Sequence, residues 1–327
     1  MRRALERFAR HLWYARGEPG TPWRLAAGLY RAALGRRWQR PLQRPLRPVV
    51  VVGNLTVGGS GKTPVVLALA AALSARGRRV AIISRGYGGR RTRHPRRVNQ
   101  GDDPREVGDE PALLAEASAV PVWIGARRRA VLEAAVAAGA EVVVSDDGLQ
   151  HRALPRSFEI VVIDGVLGFG NGCLLPAGPL RSPPERLEQA DAVLIRGPVD
   201  DPPWPGAVFE LEASALVDLN GADRREPDAL AGRKVSAVCG VGNPDQFAAQ
   251  LGRLGMQVEL VAFPDHHDYR RRDLEEVPGP IVTTAKDAVK LRNLSPLPQP
   301  VWVLEVRAML PQELVDSVLT HVGEFKP

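Results

Sequence analysis

Four valines, Val49 to Val52, run through Gly53-Asn54-Leu55 into Thr56-Val57-Gly58-Gly59-Ser60-Gly61-Lys62-Thr63. Beyond Thr63, the apolar residues Val65, Val66, Leu67, Leu69, Ala70 and Leu73 recur at helical spacing. A buried strand, a glycine-rich turn and a helix in this order constrain the fold more than any other stretch. Together they form a cradle in which successive backbone N–H groups converge on phosphate oxygens at a helix N-terminus. Lys62 supplies a point charge for the outer phosphates, and the Thr63 hydroxyl suits Mg2+. The chain is therefore expected to hold ATP or GTP through Thr56, Val57, Gly58, Gly59, Ser60, Gly61, Lys62 and Thr63. The general pattern has glycine five residues before Gly61, where this chain has Thr56.

The apolar runs Val80–Ser84, Val120–Ile124, Val142–Val144, Ile160–Asp164 and Ala192–Ile195 read as strands, with helices predicted from Pro111 and over Arg127–Ala138. Strands alternating with helices predict an α/β fold of the P-loop NTPase type, a mostly parallel sheet with helices on both faces. Residues 90–106, rich in Arg, Pro and Asp, read as a surface loop, and 197–206 as a connector. A second, smaller α/β unit follows, with strands at Val235–Val238, Val258–Phe263 and Ile281–Thr284, a helix over 245–254 and a closing helix at Gln312–Val322. Phe209–Leu219 and Val301–Val306 read as a two-stranded linker. The expected division is 1–48, 49–208 and 209–327.

The net charge of +7 resembles a nucleic-acid signal until its position is read. Residues 1–48 carry twelve Arg and two Glu, so the other residues together are net −3. No nucleic-acid partner is expected. Leu5, Phe8, Ala9, Leu12 and Trp13 share one helical face, and Trp23, Ala26, Ala27, Tyr30, Leu34 and Trp38 another, with Arg2, Arg3, Arg10, Arg24, Arg31 and Arg36 mostly off them. Basic residues with interfacial aromatics describe a segment lying on an anionic membrane surface. The plainer alternative is a helical hairpin packed on the body. No run reaches the ~18 apolar residues of a membrane span. Two distant cysteines, Cys173 and Cys239, provide neither a disulfide framework nor metal-ligand spacing.

Asp146 and Asp147 end an apolar strand downstream of the glycine turn, where a carboxylate holds Mg2+ in such enzymes. Neighbouring side chains on an extended chain point oppositely, so one is expected to face the metal and the other to do something else. Asp109, in Gly108-Asp109-Glu110-Pro111, opens a helix and reads first as a cap, with proton acceptance from a hydroxyl as the alternative. His266 or His267 in Asp265-His266-His267-Asp268 could share a proton with a carboxylate, whereas a zinc site does not fit their spacing.

Taken with Ser84-Arg85-Gly86-Tyr87-Gly88-Gly89, Ser145-Asp146-Asp147-Gly148-Leu149-Gln150-His151, Phe169-Gly170-Asn171-Gly172, Leu174-Leu175-Pro176-Ala177-Gly178-Pro179-Leu180-Arg181, Gly242-Asn243-Pro244, Phe263-Pro264-Asp265-His266-His267 and Lys286-Asp287-Ala288-Val289-Lys290, these segments resemble the tetraacyldisaccharide 4′-kinase (lipid A 4′-kinase) family. The resemblance is collinear over nearly the whole chain, and Thr56 is normal within it. It implies ATP- and Mg2+-dependent phosphorylation of the 4′-hydroxyl of a lipid A disaccharide 1-phosphate precursor, at the cytoplasmic face of the inner membrane. It also implies that Asp109, paired with His266 or His267, activates the acceptor hydroxyl, which reverses the cap-first reading. By the same resemblance Asp146 and Asp147 handle Mg2+ and phosphate, while Tyr87, Glu110, Arg128, Gln150, His151 and Asn171 line the cleft. Ala285 departs from the family, which usually has Glu there. No obligate protein partner is expected. Two rival readings are a membrane-recruited ATPase switch, which usually carries a further lysine near Thr56-Val57, and a soluble small-molecule kinase, which leaves the basic arm unexplained.

Overall fold

The computed structural model describes residues 12–14, 17–38, 44–90 and 92–326, with backbone alone for 36–38. The expected face residues Leu5, Phe8 and Ala9, and the arginines Arg2, Arg3 and Arg10, lie outside the described residues. The first long element, α1, spans Thr21–Trp38. Its Leu34 is buried and Ala26, Ala27 and Tyr30 are half-buried, while Trp23, Leu25 and Leu29 face outward.

The phosphate-loop half follows in chain order: β1 Val49–Gly53, α2 Lys62–Ala75, β2 Val80–Ser84, β3 Arg96–Val98, α3 Pro104–Val107, α4 Asp109–Ala117, β4 Val122–Ile124, α5 Arg128–Ala137, β5 Val142–Asp146, β6 Phe158–Asp164 and β7 Ala192–Arg196. The remainder comprises β8 Ala207–Asp218, β9 Arg224–Arg225, β10 Lys234–Cys239, α6 Pro244–Arg253, β11 Gln257–Ala262, β12 Ile281–Thr284, α7 Ala285–Leu291, β13 Val301–Met309 and α8 Gln312–Glu324. The sheet order is β11-β10-β12-β13-β8-β7-β6-β1-β5-β2-β4-β3. Pairing is parallel except where β3 meets β4, β13 meets β8 and β9 meets β8.

β1 lies at the centre of its half because both its faces are apolar. Val50 and Val52 pack into the cluster under α2, α4 and α8, and Val49 and Val51 into the cluster under α5. The strand order reverses around β1, between β5 and β6, which opens a crevice at the carboxyl ends of these strands. β8 continues from its parallel pairing with β7 into an antiparallel ribbon with β13, so the two expected linker strands do pair, from Trp302↔Asp218 to Met309↔Glu210.

Three features differ from the sequence reading. The expected surface loop 90–106 contains the edge strand β3 and the short helix α3. The 3-residue strand was illegible because Arg96 and Arg97 interrupt apolar patterning, as suits an exposed edge. The Lys286–Lys290 stretch forms its own helix, α7. Finally α8, grouped in the sequence reading with 209–327, crosses back and buries Leu314, Val318 and Val322 in the cluster beneath α2.

Candidate active site

The glycine turn joins β1 to the N-terminus of α2. Gly61 caps α2 with φ +89, a left-handed conformation that side chains rarely adopt. Thr56 has no such need. It bridges to Leu180 in extended pairing, and the Val57 N–H donates to Pro179 O at 2.8 Å. The backbone is held straight there, which explains why threonine stands where the general pattern has glycine.

At the end of β5 the two aspartates have different surroundings, and Asp147, at φ +49, has already left the extended backbone of the strand. Asp147 lies 3.8 Å from Lys62 Nζ and accepts a two-pronged bond from Arg181, Nη1 to Oδ2 at 2.9 Å and Nη2 to Oδ1 at 2.8 Å. Burial pushes the Asp147 carboxyl up, but Lys62 and Arg181 outweigh it and hold the group well below the usual carboxylate range. Asp146 is 1% exposed, and neither of its carboxylate oxygens has a hydrogen-bond partner among the described residues. Burial, with the Glu110 and Asp147 carboxylates nearby, pushes it up to about 7. A buried, unpartnered carboxylate beside a phosphate loop fits a divalent cation.

Arg128 is buried and donates from Nη2 to the Asp146 backbone carbonyl at 3.0 Å. Burial brings it down to about 10, against the pull of Asp146 and Asp147. Gln150 donates to Asn54 O at 2.9 Å, in the turn that leads to the phosphate loop. Burial, with Arg128 and Arg85 close by, pushes His151 down to about 4. Asn171 is committed elsewhere: its amide donates to Ala177 O at 2.9 Å and Leu12 O at 3.2 Å and accepts from Cys173 N at 3.1 Å. It organises the 171–178 loop and pins residues 12–13, so its expected place in the cleft lining is corrected to a scaffolding one.

Asp109 stands at the first position of α4. The preceding Gly108 has φ +98, and a Cβ there would lie 2.4 Å from Tyr87 O, so only glycine lets the Tyr87 loop approach this closely. Asp109 makes no simple helix cap. Its Oδ2 lies 3.0 Å from His266 Nδ1 and 3.2 Å from Lys290 Nζ, both from the other half of the chain. Burial pushes Asp109 up, but His266 and Lys290 outweigh it and hold the carboxyl below its ordinary value.

His267, the other sequence candidate, is turned away. Its Nε2 lies 3.0 Å from Asp273 Oδ2, and its ring stacks on Phe263 with centroids 4.6 Å apart. The intervening backbone explains the choice: His266 has φ +57, which turns it to the opposite side from its neighbour. Tyr87 meets the His266 ring edge-on at 5.4 Å.

A cleft of about 1530 Å3 lies between the halves. It is lined by Gly59–Pro64 and by Glu110, Asp265 and Lys286, so it joins the phosphate loop to the neighbours of Asp109. Arg181, Lys286 and Lys290 were missing from the expected site, although all three belong to the motifs quoted above. The four-residue spacing of the two lysines was the available signal.

A phosphate loop that shares a cleft with the neighbours of a carboxylate–imidazole pair is the arrangement of a P-loop phosphotransferase. The family model described as Tetraacyldisaccharide-1-P 4′-kinase (LpxK) matches residues 21–323. The chain belongs to this family. It is 40% identical to the tetraacyldisaccharide 4′-kinase of Alcanivorax borkumensis over 97% of each chain, and 43% identical to that of Pseudomonas aeruginosa over 95% of this chain and 96% of the relative. The crystal structure of the "apo" form of LpxK from Aquifex aeolicus in complex with ATP superposes with a TM-score of 0.70 at 28% identity, covering 98% of this chain and 99% of that one. The expected family and fold class are both found.

Proposed function

We infer that this chain transfers the γ-phosphoryl group of ATP to the 4′-hydroxyl of a tetraacyldisaccharide 1-phosphate, a step of lipid A biosynthesis. The observation that carries the mechanism is the cleft shared by the phosphate loop and the surroundings of Asp109. ATP lies with its outer phosphates over residues 58–63. Lys62, steadied by Asp147, meets the developing charge on the transferred group. Asp109, ionised and oriented by His266, takes the proton of the sugar hydroxyl as its oxygen bonds to phosphorus and the bond to ADP breaks. Thr63 and Asp146 would hold Mg2+, which when bound neutralises charge between the outer phosphates. Glu110, in the cleft lining, and Tyr87, packed on the His266 ring, are assigned to the acceptor side, while Arg128, Gln150 and His151 lie around the end of β5 and the turn before the phosphate loop.

The acceptor is a glycolipid, and the outward face of α1 offers Trp23, Leu25 and Leu29 to a bilayer. No helix among the described residues is long and apolar enough to cross a membrane. We read the enzyme as peripheral, docked on the anionic cytoplasmic face of the inner membrane through residues 1–48. Residues 49–208 form the nucleotide lobe and 209–327 the smaller one, with α8 reaching back across them. The test is incubation with γ-labelled ATP and tetraacyldisaccharide 1-phosphate. Label in the glycolipid is expected; label only in free phosphate would favour an ATPase switch.

A further inference from the structure

We propose that Lys286 is a positioning residue that fixes His266 in its neutral, Nδ1-protonated form, so that Asp109 faces a single hydrogen-bond donor of constant charge. This deepens the reading of Asp109 as the base and rests on it.

The argument starts from donor and acceptor inventories. An ionised carboxylate can only accept, so the 3.0 Å contact of Asp109 Oδ2 with His266 Nδ1 puts the ring proton on Nδ1. A lysine ammonium can only donate. Lys286 Nζ lies 3.3 Å from His266 Nε2, so a lone pair, not a proton, must face it. Together the two contacts leave the ring one state.

Lys286 is itself held in place. Asp265 Oδ1 accepts from Lys286 Nζ at 2.8 Å and from the His266 backbone N–H at 3.0 Å, so one carboxylate oxygen sets both partners. The other oxygen, Oδ2, is 3.9 Å from His266 Nε2, outside hydrogen-bond reach. Burial works against the Lys286 ammonium, but Asp265 and Glu110 outweigh it and hold Lys286 above the ordinary lysine range.

α7 presents both lysines to the pair because residues four apart share a helix face. Lys290 contacts Asp109 Oδ2 at 3.2 Å while Lys286 contacts the far nitrogen of the ring. The helix is anchored by fully buried Asp287, which accepts from Gly240 N at 3.0 Å and Thr284 Oγ1 at 2.7 Å and lies 3.4 Å from Lys290 Nζ. Tyr87 also meets the ring edge-on, Tyr269 lies beneath Lys290, and the Glu110 carboxylate faces Lys286. Without Lys286, the nearest charge facing Nε2 would be Asp265, which favours a second ring proton. An imidazolium beside Asp109 would make the carboxylate a weaker base.

Nitrogen NMR of the full chain labelled in histidine reads the form directly. At neutral pH the expected signature for His266 is a protonated Nδ1 and a bare Nε2; a protonated Nε2 overturns the proposal. In kinetics, Lys286→Met should move the acid limb of the kcat profile to higher pH by about one unit or more, and Lys286→Arg should move it back. An unmoved acid limb, or a rise in the ATP KM at every pH with the limb unmoved, overturns it. If Lys286→Met does not fold, the NMR of the unaltered chain decides. Retained transfer in Asp109→Asn would remove the base reading while leaving the NMR result standing, so the two failures are distinguishable.

Discussion

Asp109 Oδ2 lies 3.0 Å from His266 Nδ1 although 157 residues separate them in the chain. The contact joins the first turn of α4 to the loop after β11, one from each half of the sheet. The pair is thus built across the cleft from residues of both halves. Asp109 is thereby oriented by a residue of the other half.

Removing the imidazole tests that tie. His266→Gln should lower kcat by about 10²-fold, because the side chain that orients the Asp109 carboxylate is gone. His267→Gln, which touches Asp273 rather than Asp109, should leave kcat close to that of the unaltered enzyme. Stopped-time assays across pH on both variants make the comparison.

Lys62→Met removes the charge over the outer phosphates and leaves Asp147 with its Arg181 ion pair. Transfer should fall by about 10²-fold or more, with the circular dichroism spectrum unchanged. Retention of the ordinary rate would contradict the phosphate-loop role.

Stability should depend on pH through His151. Its ordinary value is 6.5 and burial, with Arg128 and Arg85, brings it to about 4. Between those values the unfolded chain binds a proton that the native one does not, so stability falls as pH drops through the window and is unaffected above it. His151→Gln should therefore lose less Tm than the unaltered chain between pH 7 and pH 5 in calorimetry. Parallel curves would contradict this.

The outward residues of α1 make a membrane prediction. Leu29 is 76% exposed. Leu29→Glu should weaken binding to anionic vesicles about tenfold or more while leaving turnover of detergent-dispersed acceptor unchanged. Salt should weaken binding of both forms. Equal vesicle affinity for the two proteins would move the docking surface elsewhere.

Much of this was legible in the sequence because its signals are local. The run Val49–Val52, the glycine turn and the spacing of α2 specify strand, loop and helix within 25 residues. Asp146 and Asp147 were expected to diverge on period-two geometry, but Asp147 leaves the strand at φ +49, so a turn rather than the pleat sets their different surroundings. The choice between His266 and His267 was not legible, since it depends on one positive φ in a loop. Nor was the return of α8 to the first half: its apolar stripe announces a buried face without naming the partner. Arg181 was hidden for a similar reason, because its bond to Asp147 spans 34 residues.

The most direct measurement is rapid-quench transfer with Asp109→Asn, paired with its ATP affinity. The account expects ATP to bind within about threefold of the unaltered enzyme, since among the described residues the side-chain partners of Asp109 are His266 and Lys290 rather than the phosphate loop, while transfer to the disaccharide hydroxyl falls by about 10²- to 10⁴-fold. Transfer at the unaltered rate would contradict it, because some other group would then be taking the hydroxyl proton.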